Sequence, residues 1–143
     1  MSSMHRTING DVLVQHLSQD ARTIDRALVE QHGRSARTIV KEGPLRLTIM
    51  ALGKGGNLPP HSTDAPITVH VLEGDVTFLV LDEEYELHTG DVLVVAAGVE
   101  HAARTKDGAT FLLTVVHLPG AGCTEPHPIS ETAMQRWMNE GGR

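Results

Sequence analysis

Between Ser35 and Leu118 the chain is a series of short apolar-alternating runs separated by turn residues. Residues 36–42 (ARTIVKE) stop at Gly43-Pro44. Residues 45–52 (LRLTIMAL) alternate Leu45, Leu47 and Ile49 against Arg46 and Thr48, then break at GKGG, 53–56. Further runs follow at 67–73, 76–82, 85–88, 92–96, 101–105 and 109–118. The turns between them are Gly74-Asp75, Asp82-Glu83-Glu84, Thr89-Gly90-Asp91, Ala97-Gly98 and Lys106-Asp107-Gly108. A period of two places successive side chains on opposite faces of a strand. Many short strands with a turn signal about every 8–12 residues predict an all-β sandwich or barrel.

The period changes on both flanks. Val12 and Val14, with His16 in phase, predict a short strand over 11–17. Asp20 is placed to cap a helix over about 21–32, where Ile24, Ala27 and Leu28 fall at i, i+3 and i+4 and Gly33 provides the stop. Beyond a Gly- and Pro-rich stretch at 120–128, Ser130 can cap a second helix over 131–140. Its Met134, Trp137 and Met138 form a stripe expected to pack against the barrel or a subunit interface. The expected organisation is an N-terminal arm and helix (1–34), a barrel (35–118), and a linker with a C-terminal helix (119–143).

With 143 residues and 40% hydrophobic content, one domain can bury a core, and the scarcity of aromatics (two Phe, one Tyr, one Trp) makes that core aliphatic. The same scarcity removes a base-stacking platform, and a net charge of −6 argues against nucleic acid as a partner. No apolar run approaches the ~18–20 residues of a membrane span, and the first ten residues lack a signal-peptide core. A cytoplasmic location is expected, in keeping with a single cysteine that can form no internal disulfide. Cys123 has His127 four residues on, but nothing marks an orienting third group, so a free thiol is expected there.

Candidate chemistry gathers in two stretches, 58–74 (LPPHSTDAPITVHVLEG) and 90–101 (GDVLVVAAGVEH), each placing a histidine beside turn residues. These stretches resemble the two motifs of the cupin superfamily. Gly74 matches the glycine that ends the first motif. Counting back from it sets Ile67 on the family's glutamate position and His61 and Thr63 on its two histidine positions. In the second motif Gly90 matches the first glycine, Ala96 the proline, Gly98 the second glycine, His101 the histidine and Thr105 the final asparagine. The resemblance covers residues 45–118 and is nearest to a group of small bacterial single-domain cupins, mostly without assigned function.

The resemblance implies a double-stranded β-helix, the jelly-roll barrel, here with short N- and C-terminal helices. It also implies a divalent metal held by three imidazoles and a carboxylate, with open positions for a substrate. Only His61 and His101 keep that chemistry, because threonine is a poor ligand and isoleucine is none. The expected function is therefore small-molecule binding in a barrel pocket formed by His61, Thr63, Ile67, Val69, Val71, His101 and His117, with Val94 in its apolar wall. Two facing imidazoles suit an anion or a proton-transfer pair. The alternative is a metal-dependent enzyme, dioxygenase- or isomerase-like, in which His61 and His101 hold Zn, Ni, Fe or Mn with a third ligand from His70, Asp64 or His117, or from bound water. Alternation turns His70 outward with Thr68 and Leu72 unless a bulge resets the phase. A homodimer is expected as the assembly, and no membrane partner.

Overall fold

The computed structural model describes residues 11–22, 24, 26–117 and 127–140. In chain order the elements are α1 (Leu17–Arg22), α2 (Arg26–His32), β1 (Arg34–Glu42), β2 (Leu45–Leu52), β3 (Asn57–His61), β4 (Ile67–Gly74), β5 (Val76–Val80), β6 (Glu83–Leu87), β7 (Val92–Val95), β8 (His101–Arg104), β9 (Ala109–Val116) and α3 (Glu131–Asn139). The strands form a five-stranded sheet in the order β1-β2-β9-β4-β7 and a four-stranded sheet in the order β3-β8-β5-β6, the arrangement of a jelly-roll barrel. Every strand pair is antiparallel.

Alternation assigns the faces. Ile67, Val69 and Val71 of β4, Phe111 of β9 and Val76 and Phe78 of β5 meet between the sheets as the barrel core. Phe78 and Phe111 pack edge to face at 5.9 Å. The outer faces have separate covers. Ile24 and Val29 lie on Ile39, Ile49 and Ala51 outside the five-stranded sheet. Ile129, Ala133 and Trp137 lie on Leu79 and Ala102 outside the four-stranded sheet. Ser130 caps α3 by accepting from the Ala133 N–H. No described helix is long and apolar enough to cross a membrane.

The flanks depart from the sequence pattern. Residues 11–16 form no strand; Val12 and Val14 are largely exposed, with no neighbouring strand to make their alternation useful. The expected single helix is two, and Asp20 lies inside the first rather than capping. Ile24 is buried in the break between them and packs in the cluster of Ile39, Ile49 and Ala51 on the sheet. A further difference is β3, which contains Pro59 and Pro60 and reads as a loop from sequence. Proline cannot donate to a ladder, so it is confined to edges and bulges. Here β3 is an edge strand whose register shifts between Leu58 and His61, at the two prolines. Cys123 lies outside the described residues.

Two glycines fix the frame of the site. Gly74, with φ 83°, turns the chain from β4 to β5, and a Cβ there would sit 2.4 Å from the Gly108 carbonyl oxygen. Gly98, with φ 77°, shapes the loop that enters β8. The two motif stretches are also bonded to each other. Gly90 N–H donates to the Val71 carbonyl at 2.9 Å, and Val71 N–H donates to the Asp91 carbonyl at 3.0 Å.

Candidate functional site

The pairing of β3 with β8 sets His61 opposite His101. Their ring centroids are 4.3 Å apart, with planes inclined by 65°. Ala103 faces the barrel core and Ala102 faces α3, so alternation turns His101 inward. There it is 1% exposed and 6.4 Å from the Phe78 ring. His61, at the end of its strand, is exposed. The pair therefore runs from solvent into the core at one end of the barrel.

Each ring is oriented by its own strand. His61 Nδ1 donates to the Pro59 carbonyl and His101 Nδ1 to the Val99 carbonyl, both at 3.0 Å. A carbonyl only accepts, so the proton belongs on Nδ1 and the neutral ring carries its lone pair on Nε2. His101 Nε2 is buried and, among the described residues, has no hydrogen-bond partner. An orphaned buried acceptor of this kind costs on the order of 1–3 kcal/mol. Burial pushes the His101 pKa below its ordinary 6.5; the Val99 carbonyl bond opposes this and the charge of His61 adds to it.

Around this pair the other expected residues separate. The Thr63 hydroxyl donates to the Ala65 carbonyl within its own loop, while its backbone carbonyl accepts from Gly98 N–H at 2.7 Å. Thr63 thus laces the two motif loops together. Ile67, Val69 and Val71 point inward, at 4%, 0% and 0% exposure. The two valines are packed core and can serve a ligand only as a floor. His117 follows Phe111, Leu113 and Val115 in phase, and all three pack into the interior. It lies just beyond β9, half exposed, with Nδ1 3.9 Å from Asp64 Oδ1. His70 is carried away from the pair: it stands opposite Val92 and Leu112, and Leu112 packs on the outer-face cluster. The bulge in β4 falls between Val71 and Glu73, past His70, so it does not reset the phase. Val94 is 67% exposed and lines nothing inside the barrel. Thr105, at the family's last motif position, is buried; its hydroxyl donates to the Asp75 carbonyl and accepts from Gly108 N–H.

Sequence reasoning missed a strap across the second motif loop. His127 N–H donates to the Gly98 carbonyl at 2.9 Å, Glu100 N–H donates to the His127 carbonyl at 2.8 Å, and Ile129 N–H donates to the Glu100 carboxylate at 3.1 Å. These pairings join residues nearly thirty positions apart, and no local pattern announces them.

The Nε2 atoms of His61 and His101 are donors of the right kind for a divalent metal. Thr63 and Ile67 add no third or fourth. Among the described residues no group of three or more His, Cys, Asp or Glu side chains could hold a metal ion. The residues present do not fit the family's metal centre.

Residues 48–117 match the family model for the cupin domain. No curated protein matches the sequence. Among solved structures, a conserved protein of unknown function from Streptococcus pyogenes is similar at 25% identity and TM-score 0.58, over 82% of this chain and 96% of that one. A cupin superfamily protein from Desulfitobacterium hafniense is similar at 16% identity and TM-score 0.57, over 59% and 78%. A variant of salicylate 1,2-dioxygenase from Pseudoaminobacter salicylatoxidans gives TM-score 0.64 at 17% identity, over 71% of this chain but only 34% of that one. At the identities of the last two, the likeness is one of fold.

Proposed function

The chain carries a cupin domain, and on that footing we propose that it binds a small molecule at the histidine end of the barrel. His61 and His101 are the polar contacts, Thr63, Ile67 and His117 surround them, and Val69 and Val71 form the floor. One observation carries the reading: His101 Nε2 is buried, faces the interior and has no partner among the described residues. A bound guest supplies that partner, and native structures leave few such groups unsatisfied. The absence of further ligating side chains at Thr63 and Ile67 supports a binding site over a metal centre.

The test is native mass spectrometry with elemental analysis on protein purified without added metal. The expected result is far less than one metal per chain, with a retained or titratable small molecule that the His101→Phe variant loses. Stoichiometric Zn, Ni, Fe or Mn that disappears in His101→Ala would replace this reading with the metal-dependent enzyme. We place the protein in the cytoplasm, on its lone cysteine.

We also infer a homodimer. Edge strand β7 exposes Val92 (56%) and Val94 (67%) beside His70 and Thr68 on the outer face. A free antiparallel edge with an apolar stripe is self-complementary about a two-fold axis.

A further inference from the structure

The orientation of the two imidazoles restricts what can occupy the site. Both Nδ1 atoms are committed to backbone carbonyls, of Pro59 and of Val99. What each neutral ring offers a guest is therefore an acceptor, Nε2, and no N–H. With ring centroids 4.3 Å apart, one small group can meet both rings. Arg46 stands opposite Val115 on β9, as Ile67 does from the other side. Its guanidinium Nη1 donates to the Gly43 and Leu45 carbonyls of the adjoining turn. The Asp64 carboxylate lies at the same end, beside His117, and the whole chain carries −6. The committed Nδ1 protons, the Asp64 carboxylate and the net charge of the chain disfavour an anion, which brings only acceptors and negative charge.

Taking the binding site proposed above as given, we propose that its ligand is an uncharged molecule presenting paired hydrogen-bond donors, as a primary amide or a vicinal diol does, on a small aliphatic body. One donor satisfies His101 Nε2 and the other meets His61 Nε2. The aliphatic part rests on Leu113 and Val115, which are only partly buried against the core. This reverses the expectation from sequence that facing imidazoles suit an anion. That expectation counts the rings without their Nδ1 partners.

Isobutyramide and isobutyrate have nearly the same shape and opposite hydrogen-bonding character, so the pair separates the alternatives. Two-dimensional NMR of the ring nitrogens at neutral pH is the readout. In the free protein both histidines should show the Nδ1–H tautomer. Isobutyramide should shift the Nε2 resonances and bind at least about tenfold more tightly than isobutyrate, the difference expected when one buried acceptor gains or lacks a donor. The His101→Phe variant, with the backbone spectrum confirming its fold, should lose the response. An Nε2–H tautomer at His101, or isobutyrate binding as tightly as the amide, overturns the donor-ligand inference and leaves the binding site standing. If both probes leave the ring nitrogens unmoved, the binding site and this inference fall together.

Discussion

At the scale of single residues, the turn joining β5 to β6 places a leucine where the backbone favours glycine or asparagine. Leu81 has φ 55° and is 41% exposed. The left-handed region costs an ordinary side chain roughly 1–2 kcal/mol. Leu81→Asn should therefore raise stability by about 0.5–1 kcal/mol in urea denaturation; a lower midpoint would mean that the leucine makes a contact worth more than its strain. A second residue-scale expectation concerns pH. His88 Nδ1 lies 2.7 Å from Asp75 Oδ1, and that hydrogen bond and charge raise its pKa above 6.5. A base whose pKa rises on folding stabilises the fold fully below its unfolded value and loses that contribution as pH climbs through the raised one. The denaturation midpoint should thus slip slightly on going from pH 6 to above pH 8, and His88→Gln should flatten the slope over that interval. An unchanged slope would show that the exposed pair is fully screened.

At the scale of elements, α3 is held by its apolar face, by Arg104, and by Arg136 Nη2 and Ser130 Oγ, which donate to the carbonyl and carboxylate of Asp82 in the β5–β6 turn. Trp137 is 5% exposed and packs on Leu79 and Ala102. The Arg104 guanidinium lies 3.7 Å from the centre of the Trp137 ring, donates to the Trp137 carbonyl and pairs with Glu84 at 3.3 Å. Trp137→Ala should cost about 3–5 kcal/mol, the usual range for emptying a buried aromatic site; a loss under about 1 kcal/mol would mean that α3 is not part of the cooperative unit. The stripe of Met134 and Trp137 and the Ser130 cap were legible because helix periodicity and capping are local. Met138, third in that stripe, is 61% exposed, since only part of the helix face meets the sheet. The Arg104 stack was not legible, because it joins a strand to a helix 33 residues away. The false strand at 11–17 and the concealed strand at β3 share one cause: alternation and proline describe a segment alone, whereas a strand exists only beside a partner.

At the scale of the whole molecule, the barrel was legible because each inward run recurs between turn glycines, and the motif spacings set His61 and His101 at matching positions on facing strands. Alternation also set His70 on the outer face; what spacing could not convey was the orientation of the imidazole protons, which depends on the carbonyls of Pro59 and Val99. Surface chemistry decides assembly at this scale. Val94→Lys on edge strand β7 should convert the homodimer inferred above to a monomer in light scattering without shifting the thermal midpoint by more than a few degrees; a dimer that survives the charge would have to pair elsewhere. The strap from His127 to Ile129 has a consequence in time as well as in space. The loop that presents His101 is fastened by residues made nearly thirty positions later. None of the strand pairings of the two sheets needs the strap, so the barrel can close before the loop that presents His101 is fastened.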